Sequence, residues 1–358
     1  MRAARPAFAS GSPGARPFPG RLLEAGGNAG PRGMTANRRY APGNRTRLTE
    51  LSSALISPAH LPLAAGPGDR VGVAALSGPV DPARLEAGLA ALRRLGFEPV
   101  LAANLRSRAG LFAGGDAERL DAFHELAADP DLPVIFFARG GHGLLRVLPA
   151  LDWELLKRRP RAYVGYSDLT PFLLEVVRRL GLVAFHGPMI AADLARGLAA
   201  EEEESLLAAL AGRYPAVQPF SRWLREPAAG RASGPLLGGC LSLLTATLGT
   251  PFAPDLEGAM VFWEDTGELP YRVDRMLTHL GLSGNLANIA GMIVGHLGDG
   301  KGPSGEPPDW PALVGGSVAG FSWPLAWGLE SGHIAPNRTL PLGLPARLDG
   351  GRLVLGEG

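Results

Sequence analysis

The sequence predicts an α/β protein: an N-terminal domain built on a parallel sheet, then a smaller mixed α/β domain. Two observations carry this. Short, near-continuous apolar runs such as Val71–Leu76, Pro133–Ala138 and Ala162–Tyr166 have the character of strands buried on both faces. Stretches of helical period alternate with them, the pattern of strands joined by crossover helices. The chain of 358 residues allows about two domains on a prior of ~150 residues each.

Each element has its own signal. Val71–Leu76, bounded by Gly and Pro, is a buried strand. Asp81-Pro82 opens a helix, with Asp as cap and Pro at the first helical position. Leu85, Leu89, Leu92 and Leu95 follow on one face, and Gly96 ends it. Phe97–Ala102 is a second strand, Gly115–Ala128 an amphipathic helix and Pro133–Ala138 a third strand. Leu144–Leu148 starts a helical stretch, Ala162–Tyr166 is a strand feeding the helix 168–180, and Leu182–Phe185 is a further short strand. Residues 66–190 make the first domain. Residues 191–233, with an acidic helix start at Glu201–Glu204 and a Pro/Arg-rich stretch, are expected to connect it to the second, 234–358. That domain is expected to hold helices at Leu241–Leu248 and Tyr271–Leu280 and strands at Ala259–Trp263 and Ile289–Val294. No internal repeat is evident.

Residues 1–65 differ from the rest, being rich in Arg, Gly, Pro, Ala and Asn with little periodicity. Pro and Gly interrupt each apolar stretch that a secretory signal would need. The expectation is a disordered leader or a start placed too early, Met34 being one alternative start.

Composition excludes several classes. A net charge of +1, from 35 basic and 34 acidic residues, gives no basic footprint for nucleic acid. The single cysteine, Cys240, rules out an intrachain disulfide and a cysteine zinc cluster, and fits a reducing compartment. No apolar run approaches the ~20 residues that span a bilayer.

Three places combine a strand end with reactive side chains. In Val164-Gly-Tyr-Ser-Asp168 a strand turns into a helix at Ser167. Such a turn presents the hydroxyl at the sheet edge, with the Asp168 amide ready for a developing oxyanion. The full Gly-x-Ser-x-Gly pattern is broken by Leu169, and on this motif alone a capping serine is the simpler reading. The second place is Ala138-Arg-Gly-Gly-His-Gly143, a glycine turn with free amides, without the dinucleotide spacing. The third is split between Phe262-Trp-Glu-Asp265 and the segment around His333. A buried Glu264 beside a histidine would orient it, although Glu264 alone reads as a rim residue. His60 lies in the leader, while His124 and His279 sit within helices. Spacing does not choose among His142, His186, His296 and His333, and no His-x-x-x-His pair supports a metal site.

Taken in order, the motifs resemble the LD-carboxypeptidase family of serine peptidases, which includes microcin-resistance peptidases. They are Gly68-Asp-Arg-Val-Gly-Val with Ser77-Gly-Pro, Arg139-Gly-Gly-His-Gly143, Gly165-Tyr-Ser-Asp168, His186-Gly-Pro, and Gly238-Gly-Cys-Leu-Ser242. Trp263-Glu-Asp-Thr-Gly-Glu268, Tyr271-Arg-Val-Asp-Arg275, Gly332-His333 and Leu340-Pro-Leu-Gly343 follow. The resemblance runs from about Gly66 to Leu355. It implies a triad of Ser167, Glu264 and His333, with Glu268 as a rival acid, in an active site at the interface of the two domains. It also implies an oxyanion hole from the amides of Asp168 and of Gly140 or Gly141. Within the matched segments Arg139, His142, His186, Cys240 and Trp263 are candidates for substrate contact. His142 stands where Tyr is most common and Cys240 where many relatives carry Asn. The implied activity is removal of the C-terminal D-alanine from a murein tetrapeptide by a cytoplasmic homodimer, without metal or organic cofactor. A sibling activity on aminoacyl-nucleotide or acyl-sulfamoyl compounds is the alternative, and a non-catalytic peptide-binding protein a further one.

Overall fold

The computed structural model describes residues 59–227, 231–298 and 306–357. The expectations for residues 1–58, including the alternative start at Met34, lie outside the described residues. From Ala59 onward the chain is already packed, ahead of the predicted start of order at Gly66. The His60 amide donates to the Gly181 carbonyl (2.8 Å), and its own carbonyl accepts from Val183 (2.9 Å). Residues 59–65 are therefore structured; the prolines that hid any periodicity there do not prevent an extended segment from pairing.

The first sheet has six strands: β1 (Arg70–Ala74), β2 (Glu98–Leu101), β3 (Val134–Phe137), β4 (Ala162–Gly165), β5 (Ala184–His186) and β12 (Leu340–Leu342). Their order is β12-β5-β4-β3-β1-β2, with β1 to β5 parallel and β12 antiparallel to β5. Helices α1 (Pro82–Arg94), α2 (Asp116–Ala128), α3 (Leu144–Val147), α4 (Trp153–Arg158) and α5 (Thr170–Glu175) punctuate these strands. The Asp81 carboxylate caps α1 by accepting from the Arg84 amide at 2.9 Å, as its position ahead of Pro82 requires. Strand order reverses between β1 and β3, which makes the carboxyl ends of those strands the crevice where α/β sheets bind ligands.

The nucleophile candidate's helix is fixed by aromatic packing. Phe172 on α5 meets Phe137 (5.3 Å between ring centroids), Tyr163 (5.1 Å) and Phe123 (5.7 Å), all edge to face. Beyond Glu175 the helix runs on to Leu180 as a π-helical turn, and Gly181 ends it in the left-handed conformation.

The second sheet has eight strands in the order β6-β14-β13-β8-β9-β10-β11-β7. These are β6 (Ala216–Pro219), β7 (Arg222–Arg225), β8 (Arg231–Cys240), β9 (Met260–Glu264), β10 (Gly291–Val294), β11 (Leu325–Trp327), β13 (Pro345–Asp349) and β14 (Arg352–Leu355). Strands β8 to β11 are parallel and the others antiparallel. β6 and β7 lie at opposite edges, yet only Phe220 and Ser221 separate them. Laid flat, eight strands would set those edges about 34 Å apart, whereas three peptide steps reach at most about 11 Å. The sheet must curl until its edges meet. Phe220 donates to the Gly351 carbonyl after β13 and Ser221 to Trp327 on β11, tying both edges to the link.

Two predicted boundaries need correction. Residues 191–233 are not merely a connection: they supply helix α6 (Ala200–Leu210) and both edge strands of the second sheet. Residues 234–358 are not confined to one sheet either, because β12 completes the first. Gly343 makes the crossing. Its amide donates to the Leu236 carbonyl (2.7 Å), and at φ +93° it adopts a backbone suited to glycine. A side chain there would meet the Ala59 and Val177 side chains at 2.8 and 2.9 Å.

Candidate active site

Ser167 lies two residues beyond the end of β4, at the start of the turn into α5. Its φ of +63° is the only positive value at a non-glycine among the described residues. A left-handed serine costs about 1–3 kcal/mol and persists only where its surroundings enforce it. Here the enforcement is visible. Gly140, after β3, lies against the turn so closely that a methyl group on it would sit 2.9 Å from Ser167 Cβ, 3.0 Å from Oγ and 3.2 Å from the Asp168 nitrogen. Glycine at 140 thus leaves open the space bounded by the Ser167 hydroxyl and the Asp168 amide.

The glycine turn is held from two sides. The Gly78 amide, beyond β1, donates to the Gly140 carbonyl at 3.0 Å. The buried Asp168 carboxylate accepts from the Leu144 amide at 2.9 Å, at the start of α3. Asp168 therefore contributes through its side chain as well as its position, a link that capping logic gave no sign of. The Arg119 guanidinium, fully buried, donates to the Leu76 and Gly143 carbonyls and pairs with Asp116 at 2.6 Å.

Glu264 ends β9 and is completely buried, not the rim residue its strand-end position suggested. Its Oε2 accepts from His333 Nδ1 at 2.7 Å and from the His333 backbone amide at 3.1 Å. The carboxylate acceptor places the imidazole proton on Nδ1, leaving Nε2 with its lone pair. Gly332 makes this approach feasible: a Cβ there would sit 2.4 Å from the Glu264 carboxyl carbon. Burial by itself would lower the pKa of His333. The hydrogen bond and charge of Glu264, with Asp265 and Asp193 behind it, outweigh burial and raise it.

The His333 ring stands edge-on to Tyr166, the residue before Ser167, at 4.8 Å between centroids. Tyr166 in turn packs on His186 (5.6 Å), and His186 on Phe262 (5.2 Å). The structure thus gathers the Ser167 turn, Glu264 and His333 around one aromatic group. Glu268 is elsewhere, 3.6 Å from Arg272 on the helix Pro270–Leu282.

The five proposed contact residues divide. Arg139 and His142 are exposed on the glycine turn; Arg139 donates to the Pro79 carbonyl at 3.0 Å, and His142 lies 5.8 Å from Phe112. Trp263, His186 and Cys240 are buried. Trp263 lies inside the second sheet. His186 is wedged between rings, where burial first and His333 second push its pKa down to about 3. The Cys240 amide donates to Thr170 Oγ1 at 3.0 Å, and burial raises its thiol well above the ordinary range, the opposite of an activated nucleophile. Among the described residues no three His, Cys, Asp or Glu side chains are grouped to hold a metal ion, and no helix is long and apolar enough to cross a membrane.

A serine on a strained strand-to-helix turn, a glycine packed against it and a buried carboxylate–histidine pair form a constellation suited to acyl transfer. The chain belongs to the LD-carboxypeptidase family: its residues 71–187 match the family's N-terminal domain and 233–348 its C-terminal domain. It is 33% identical to the murein tetrapeptide carboxypeptidase of Pseudomonas aeruginosa, across 75% of this chain and 89% of the other. The crystal structure of a muramoyltetrapeptide carboxypeptidase from Oxalobacter formigenes superposes with a TM-score of 0.73 at 31% identity, covering 80% of this chain and 99% of that one. The microcin C7 self-immunity protein of Escherichia coli is 26% identical, across 80% and 93%.

Proposed function

We propose that the protein is a serine carboxypeptidase that cleaves the amide between an L-centre residue and a C-terminal D-amino acid, with a murein tetrapeptide as substrate and D-alanine released. The observation that carries this reading is the buried Glu264–His333 pair, set edge-on to the residue preceding the strained Ser167.

In this mechanism His333 Nε2 takes the Ser167 proton as Oγ attacks the scissile carbonyl, and Glu264 stabilises the resulting imidazolium. The developing oxyanion lies in the space that Gly140 leaves open, with the Asp168 amide and a glycine-turn amide as donors. His333 then protonates the leaving D-amino acid's nitrogen as the C–N bond breaks. A water molecule, deprotonated by His333, frees the acyl group and restores Ser167. The substrate's terminal carboxylate needs a cation, and exposed Arg139 on the turn is the assigned partner. Murein recycling would place the enzyme in the cytoplasm, and the family resemblance points to a homodimer.

The test is release of D-alanine from a murein tetrapeptide by the full chain and by Ser167→Ala. Loss of roughly 10⁶-fold in kcat is expected; unchanged release by the variant overturns the serine mechanism. The resemblance to microcin-resistance peptidases supplies a second reading, with an aminoacyl-sulfamoyl adenosine as substrate. Faster Ser167-dependent turnover of that compound than of tetrapeptide would select it.

A further inference from the structure

The loop that carries His333 is closed upon itself and anchored from behind by buried polar groups. The Arg338 amide donates to the Glu330 carbonyl (3.0 Å), and Ser331 Oγ to the Arg338 carbonyl (2.8 Å). Inside that closure lies Asn337, fully buried. Its Oδ1 accepts from the Gly332 amide at 2.8 Å, fixing the backbone one residue before His333. Its own amide donates to Glu202 Oε1 at 2.5 Å, and its Nδ2 lies 3.4 Å from Asp193 Oδ1.

Those two carboxylates are themselves held. Glu202, fully buried on α6, also accepts from the Ala199 amide (2.7 Å) and pairs with Arg196. Asp193 accepts from the Met189 amide (3.0 Å) and lies 3.5 Å from both Arg196 and the Tyr166 hydroxyl. Asn337 therefore joins the histidine loop to the segment after β5 and, through Tyr166, to the nucleophile's turn. Its backbone N–H and both polar atoms of its side chain have partners. A buried network satisfied in this way favours one arrangement over its alternatives.

We propose that Asn337 is a positioning residue: by tying Gly332 to the Asp193–Glu202–Arg196 group, it sets the His333 imidazole between Glu264 and Tyr166. The role rests on the reading of His333 as the general base. Asn337 touches neither His333's ring nor the space before Ser167, so it acts through the loop. The titratable groups facing His333 are Glu264, Asp265, Asp193, Tyr166 and His186. Asn337→Ala removes none of them but takes one hydrogen bond from Asp193. A fall in the His333 pKa beyond that produced by Asp193→Asn, the control for that bond, thus reports its placement against Glu264.

The experiment compares the full chain with Asn337→Ala by tetrapeptide kinetics, thermal melting and NMR titration of selectively labelled histidine. Expected is a fall in kcat of roughly 10- to 100-fold, the scale of a misplaced catalytic group, with KM little changed and the raised His333 pKa moving down. A folded variant with wild-type kcat and wild-type His333 titration overturns the proposal. So does a loss of melting temperature and activity together while the titration stays fixed, because that is a purely structural role. If Asn337→Ala does not fold, Asn337→Ser is read the same way; it keeps a polar group but cannot span Gly332 and Asp193. Should wild-type protein release no D-alanine, the proposed function fails. The His333 titration still decides the positioning role.

Discussion

Glu264 Oε2 receives two hydrogen bonds from a single residue, His333, one from its ring and one from its backbone. The carboxylate therefore fixes both where the imidazole is and which way it faces. Glu264→Gln keeps the shape but removes the charge that raises the His333 pKa. In the proposed mechanism the base works when neutral, so activity is gained as pH rises through that raised pKa. The variant should lose roughly 10³- to 10⁴-fold in kcat, and the acidic limb of its kcat/KM profile should move to lower pH. A limb that stays in place would separate Glu264 from the base.

Gly140 offers a test that leaves every reacting group intact. Gly140→Ala puts a methyl group 2.9 Å from Ser167 Cβ and close to the Asp168 amide. The expected result is a folded protein with kcat reduced by about 10²- to 10³-fold, the worth of one oxyanion donor. Labelling of Ser167 by a fluorophosphonate should slow in parallel.

His186 should make the protein acid-sensitive. Its folded pKa of about 3 lies below the ordinary 6.5, so the unfolded chain binds the extra proton between those values. Its neutral burial contributes stability above pH 6.5 that is progressively lost as pH falls towards 3. Between pH 7.5 and 5.5 that loss is about 1.4 kcal/mol. Urea denaturation of wild type and His186→Gln at both pH values should show a slope difference of that size and sign.

Phe172 holds α5 through three edge-to-face contacts, two to the first sheet and one to α2. Phe172→Ala should cost about 3–5 kcal/mol in chemical denaturation. If the cost is below about 1 kcal/mol, the aromatic cluster is not what seats α5.

The parallel sheet was legible because its strands are apolar runs with clear Gly and Pro boundaries, and β1, β3 and β4 fall where those runs do. Helix α1 was legible through Asp81-Pro82. The short strands β6, β7, β11 and β14 were not, since three or four residues carry little periodicity and their pairing is set by distant partners. The site was half readable. Ser167's turn and the glycine turn announce themselves locally, but choosing His333 from seven histidines required the ordered family motifs. Glu202 and Asn337 were invisible: one sits in an acidic run that reads as a solvated face, the other in a loop. Their burial arises only when α6 meets the histidine loop.

The antiparallel strand β12 has a consequence for how the protein is made. Synthesis runs at ~5–20 residues per second, so the chain emerges with its serine roughly 10–30 seconds before its histidine. Until Leu340–Leu342 arrive, β5 is an open edge, available to any passing strand. The same few residues that cover this edge follow directly on the histidine loop. In the proposed mechanism, completion of the sheet that carries Ser167 and delivery of the base are thus one late event on the ribosome, and a nascent or truncated chain carries an unarmed serine.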